Sequence, residues 1–173
     1  MTRKLVVLLF AVAVMTMLGL GSLPAFAQTA TPGVAKQVRD NFNDVDRKIL
    51  EMARDWPAEN YDYKLRKEMR SFGAVLVHLA SGNVYAAKIG RGEKAKWDEL
   101  DAAKYPDKAS VVALLEKSFG DSEAVLKGLP DTTFAKSIEP WLSVMEHNGE
   151  HYGLLVAYYR ANGMTPPESR PKK

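Results

Sequence analysis

Four stretches of the chain repeat apolar residues at spacings of three and four, and each is closed by proline or glycine. Side chains so spaced share one face of an α-helix, and this period constrains the fold more than composition does. In the first stretch Val38, Phe42, Val45, Ile49 and Met52 form the stripe, and Trp56-Pro57 ends it, because a residue before proline avoids the helical region. The second should start at Lys67 or Ser71 and reach Lys88, with Phe72, Val75, Leu76, Leu79 and Val84 inward and Gly90 as a stop. Asp107 is a suitable N-cap for the third, which turns Val111, Leu114, Leu115, Ser118 and Phe119 inward and closes at Gly128 and Pro130. The fourth should begin between Ser137 and Pro140 and run to Ala161, where Asn162-Gly163 and then Pro166-Pro167 prevent continuation. Pro57 to Arg66 reads as a loop, and residues 90–106 as a long connection. No segment alternates with period two, so the expected fold is all-α, a four-helix bundle.

The first 27 residues follow a different logic. Arg3 and Lys4 precede an apolar run from Leu5 to Leu20, and Ala25-Phe26-Ala27 has the small-x-small form of a signal-peptidase site. The run is shorter than the ~20 residues of a spanning helix, so a cleaved secretory signal peptide (1–27) is expected rather than an anchor. Export would then follow the general secretory route, to the periplasm or outside the cell. A flexible leader (28–35), the bundle (36–167) and a basic tail (168–173) complete the organisation. Loss of residues 1–27 removes Arg3 and Lys4 alone among charged residues, and the net charge falls from +3 to +1. So balanced a chain has no concentrated basic face for nucleic acid, and nothing after the leader is apolar enough to span a membrane. There is no cysteine. A lipoprotein anchor, a disulfide and a protein thiol are therefore all excluded, and any metal site must use nitrogen and oxygen donors.

The chain has three histidines, His78, His147 and His151. His147 and His151 are four apart, so on a helix both imidazoles reach the same side about one turn apart. Spacing alone does not separate a ligand pair from two solvated or core residues. The zinc-protease pattern needs Glu directly after the first histidine, and this chain has Asn148 there. His78 lies among Val75, Leu76, Val77 and Leu79, where either a hydrogen-bonded core histidine or a ligand would fit. All three stand on helices that a bundle turns inward, and facing helices are where bundles build metal sites.

The run His147-x-x-x-His151-Tyr152-Gly153-x-Leu155-Val156-x-Tyr158-x-Arg160-x-Asn162-Gly163-Met164-x-Pro166-Pro167 resembles the C-terminal helix and tail of the DinB-like (damage-inducible) proteins. Arg70-Ser71-Phe72-Gly73, Leu76-Val77-His78-Leu79 and Asn83 resemble their second-helix motif, and Trp56-Pro57-Ala58-Glu59-x-Tyr61 the lead-in to it. The resemblance spans residues 36–167 and departs from the family at Leu154, where glutamine is common. It implies an up-up-down-down type of bundle with a long crossover. It also implies a divalent ion, usually nickel or zinc, on His78, His147 and His151, and a homodimer formed through helix faces. Three imidazoles also suit iron or copper, and they leave positions open for water or a small-molecule substrate. The activity implied by some relatives is transfer of a low-molecular-weight thiol to an electrophile. The alternatives are a non-catalytic metal-binding stress or interaction protein and a metal-dependent hydrolase.

Other residues carry blander expectations. Asn83 reads as a helix-end polar residue, with contact to a ligand as the alternative. Glu146 and Glu150 read as solvated, and Trp141, Tyr152, Tyr158 and Tyr159 as core or interface. Gly73 and Gly153 lie inside helices, where close packing would account for them, since glycine costs ~1 kcal/mol there against alanine.

Overall fold

The computed structural model describes residues 33–171. The expected signal peptide, most of the flexible leader, and Lys172 and Lys173 lie outside the described residues. Five α-helices and no strand are present among the described residues: α1 (Val34–Asp55), α2 (Phe72–Gly90), α3 (Lys108–Gly128), α4 (Asp131–Lys136) and α5 (Glu139–Ala161). The four long ones are those the apolar stripes require. The six-residue α4 was not anticipated; it carries Phe134 into the core between Pro130 and Ser137. No helix among the described residues is long and apolar enough to cross a membrane.

The ends are set by local chemistry. Ser71 caps α2 by accepting from the amide of Ala74. Asp107 caps α3 in a reciprocal box with Ser110, satisfying two amide donors that the first turn leaves free. Past α2, Gly92 takes a left-handed φ of +80°, and past α5 Gly163 takes +68°, both conformations that a side chain disfavours. Gly90 has another function: a Cβ there would stand 2.5 Å from Val125 Cγ1 and 2.6 Å from the Trp141 ring.

α1 and α2 are diagonal, and each packs against both α3 and α5. Trp56 at the end of α1 stacks on Phe72 at the start of α2, centroids 4.3 Å apart, so α2 runs back along α1. Lys108, opening α3, donates to the carbonyls of Arg54 and Trp56, so α3 starts at the same end as α2. Trp141 packs on Phe42, and Tyr159 donates to the Met52 carbonyl, which makes α5 parallel to α1. The helical bundle and its long crossover are as expected, but the order of directions is up-down-down-up rather than up-up-down-down. The reason is that the link over residues 56–71 folds back on itself, with Phe72 and Gly73 donating to the carbonyls of Tyr63 and Tyr61. The parallel pair of consecutive long helices is consequently α2 and α3, and residues 91–107 return along α2 to connect them.

The core falls into two apolar clusters. One gathers Ile49, Trp56, Phe72, Leu76, Leu115, Leu155, Tyr158 and Tyr159, the other Phe42, Ala86, Leu126, Phe134, Trp141 and Val144. Between them each long helix contributes a buried polar residue to one hydrogen-bonded layer: Asp46 from α1, Asn83 from α2, Ser122 from α3 and Asn148 from α5. Beyond α5, Arg170 makes a two-pronged ion pair with Asp55 and ties the start of the basic tail to the end of α1.

Candidate metal centre

The three histidines meet where α2 and α5 pack. Ring centroids lie 4.7 Å apart for His78 and His147, 4.8 Å for His78 and His151, and 4.3 Å for His147 and His151. One ring nitrogen from each falls within 4.8 Å of the other two, and Nε2 of His147 is 2.8 Å from Nε2 of His78. All three are half-buried.

The outer nitrogens are engaged by oxygens. His78 Nδ1 lies 2.8 and 2.9 Å from the two carboxylate oxygens of Glu99, which can only accept when ionised, so His78 donates from Nδ1. His151 Nδ1 faces the backbone carbonyl of His147 at 3.0 Å, again an acceptor, so this ring also carries its proton on Nδ1. His147 Nδ1 is 3.2 Å from Oδ1 of Asn148. For His78 and His151 the lone pair is thereby left on Nε2, the arrangement in which a ligating histidine is usually held.

Burial acts in the same sense. It pushes His147 down to about 4 and lowers His151 below the ordinary imidazole value, with the neighbouring histidines reinforcing the effect on both. Two ring nitrogens 2.8 Å apart suit a shared cation, and they repel when both present lone pairs to one another. The donor set therefore fits a divalent ion. Tetrahedral zinc would need the two nitrogens roughly half an ångström further apart, given bonds of about 2.0–2.1 Å.

The site takes two side chains from the crossover. Glu99 is held additionally by Arg70, at 3.3 Å. Trp97 turns its ring edge-on to His147 at 4.8 Å, stacks on Tyr85, and lies against Gly82, where a Cβ would meet it at 2.7 Å. Leu100 anchors this stretch by donating its amide to Ser81 Oγ.

The three histidines are thus brought together as the sequence suggested, while the readings of their neighbours need changes. Glu146 and Glu150 are exposed, as expected, and the carboxylate that serves the triad is Glu99. Asn83 is no helix-end residue: it is fully buried and donates to Asp46 and Ser122. Gly73 does pack closely, its Cβ position 3.1 Å from Tyr61, whereas Gly153 has nothing within 4 Å, so close packing does not account for it.

The model of the DinB superfamily matches residues 41–159, more than half of the chain and inclusive of all three histidines. The chain belongs to the DinB superfamily. No curated protein matches it. The matched region of this DinB-like chain contains one histidine on α2 and an i,i+4 pair on α5, and these three can hold a metal ion.

Proposed function

We propose that this is an exported DinB-like protein that holds nickel or zinc on His78, His147 and His151 and transfers a small thiol to an electrophilic substrate. The observation that carries the reading is the convergence of one ring nitrogen from each of three imidazoles to within 4.8 Å, with His147 and His151 lowered by burial and no thiol of the chain's own to compete for the ion. Neutral ligands leave a divalent ion its full charge, so an anionic partner is favoured. An ion so held supplies a Lewis acid beside which a thiol or water loses its proton more readily. In the transfer, the thiol S–H bond breaks and its proton goes to solvent. A C–S bond then forms as the leaving group departs with its electron pair, and no oxidant is needed. His78, His147 and His151 bind and orient, Glu99 keeps the proton of His78 on the outer nitrogen, and Trp97 forms an apolar wall beside His147. The leader motif supports export to the periplasm or beyond, and a homodimer through helix faces accompanies the reading.

Elemental analysis of untagged protein should give one nickel or zinc per chain, lost in His147→Ala/His151→Ala. Metal-loaded protein is then incubated with thiol and electrophile panels, and turnover no higher than that of His78→Ala would overturn the transferase. A second reading, a binding protein without catalysis, is favoured by the commitment of Glu99 to His78 and Arg70, which leaves it poorly placed as a base. It predicts metal-dependent thermal stability with no turnover. Ester or amide cleavage abolished by chelator would instead mark a hydrolase.

A further inference from the structure

The buried polar layer between the two apolar clusters has no function in the reading above, and its hydrogen bonds have a fixed direction. Both oxygens of Asp46 receive amide donors: Asn148 Nδ2 reaches Oδ1 at 2.8 Å, and Asn83 Nδ2 reaches Oδ2. Asn148 Nδ2 uses its second hydrogen on Asn83 Oδ1 at 2.9 Å, and Asn83 Nδ2 its second on Ser122 Oγ at 3.1 Å. Above about pH 7, where Asp46 is ionised, its carboxylate only accepts, so neither amide can be turned round: reversal would set oxygen against oxygen at the fully buried Asn83 and Asn148. Asn148 must therefore present its carbonyl oxygen to His147. That oxygen, 3.2 Å from Nδ1, accepts only, and the ring must donate.

We propose that Asp46, acting through Asn148, fixes the proton of His147 on Nδ1 and so leaves the Nε2 lone pair facing His78 and His151. Asp46 is a positioning residue for the site, on a different helix from any of the three histidines. The inference rests on the triad's being a metal site, and it adds the source of the third tautomer. Glu99 sets the first, the α5 backbone the second, and a carboxylate in α1, reaching across by way of one amide, the third. Without Asp46 the amide of Asn148 would be free to turn its nitrogen toward His147. The ring could then carry its proton on Nε2 and hydrogen-bond to His78 at the 2.8 Å seen here, closing the site to an ion.

The test is nitrogen-15 NMR of the histidine rings in full metal-free protein at about pH 8, where imidazoles are neutral, followed by zinc titration. The wild type should show His147 protonated on Nδ1. Asp46→Asn places a donor where one amide needs an acceptor. His147 should then shift toward the Nε2-protonated form while His151 stays unchanged, and zinc affinity should fall about 10–100-fold. Ser122→Ala touches the same layer but spares the Asp46–Asn148 bond, and it should retain both tautomer and affinity. His147 protonated on Nε2 in the wild type overturns the proposal whether or not any variant folds. An Asp46→Asn protein with both properties unchanged does the same. A wild type with the stated tautomer that binds no zinc sinks the metal reading while supporting the hydrogen-bond assignment.

Discussion

Glu99 and His78, 21 positions apart and on different segments, are joined through Nδ1 of the imidazole at 2.8 Å. The glutamate side chain is about half exposed, at 48%, and the histidine only 14%. A contact so placed contributes little to folding, because one partner stays hydrated. It does, however, decide which nitrogen of His78 is free. Glu99→Ala should leave the melting temperature of metal-free protein within about 1–2 °C, which corresponds to a few tenths of a kcal/mol. Metal affinity by calorimetry should fall about 10–100-fold. Equal affinity in variant and wild type would show that the carboxylate does not orient the ring.

Trp97 offers an optical reading of the site. It is one of three tryptophans, and the other two, Trp56 and Trp141, are fully buried in the apolar clusters. Nickel or copper bound by the triad would lie close to the Trp97 ring and should quench its emission. Trp97→Phe should lose most of that quench and keep the stoichiometry of binding. An undiminished quench in the variant would place the ion elsewhere.

Two glycines should respond to alanine in opposite directions. At Gly90 the added methyl meets Val125 and Trp141 at 2.5 and 2.6 Å, contacts that packed neighbours cannot relieve cheaply. A loss of about 1–3 kcal/mol is expected. At Gly153, inside α5 with nothing within 4 Å, the methyl meets only solvent, and a gain of about 0.5–1 kcal/mol is expected from helix propensity. Urea denaturation of the metal-free proteins distinguishes these outcomes.

The metal-free protein should respond to pH through two buried groups of opposite sign. Burial pushes His147 down to about 4, so its unfolded form takes up a proton first, and stability is lost as pH falls from about 6.5 through 4. Burial pushes Asp46 up to about 7, against the pull of its amide donors, so the folded form binds the proton more tightly. Its contribution is greatest below about 4 and declines as pH rises through 7. Denaturation midpoints at intervals from pH 4 to 8 should therefore fall less steeply in acid for His147→Ala than for wild type. Asp46→Asn should lose the decline toward neutrality.

The four long helices were legible because their apolar stripes are amphipathic and their ends carry strong signals, such as Asp107 before α3 and Asn162-Gly163 after α5. The direction of α2 was not. It depends on how residues 56–71 fold back, and Tyr61 and Tyr63 act there through backbone carbonyls that any residue type could supply. The histidine triad was legible in part from the i,i+4 pair and in part from resemblance. Glu99 and Trp97 were not, since they sit in a charged connection without period. Asp46 left a trace: with Phe42, Ile49, Ala53 and Trp56 it occupies a position spaced four and three, where an apolar residue is ordinarily required. Asn83 occupies the equivalent position between Leu79 and Ala86 in α2. A polar residue in the seam of an amphipathic helix is itself the signal of a buried network.

The parallel pair α2 and α3 obliges the chain to travel back along the bundle before it can continue, and that return supplies both Trp97 and Glu99. A bundle joined only by tight turns would have no such segment beside its histidines. Topology thus separates two kinds of change. Substitutions in the helices alter how well the ion is held, and they put the core at risk. Substitutions in a surface connection can alter what approaches the ion while costing the fold little. Among descendants of one ancestral bundle, chemistry would be expected to diverge along this return path sooner than along the helices it crosses.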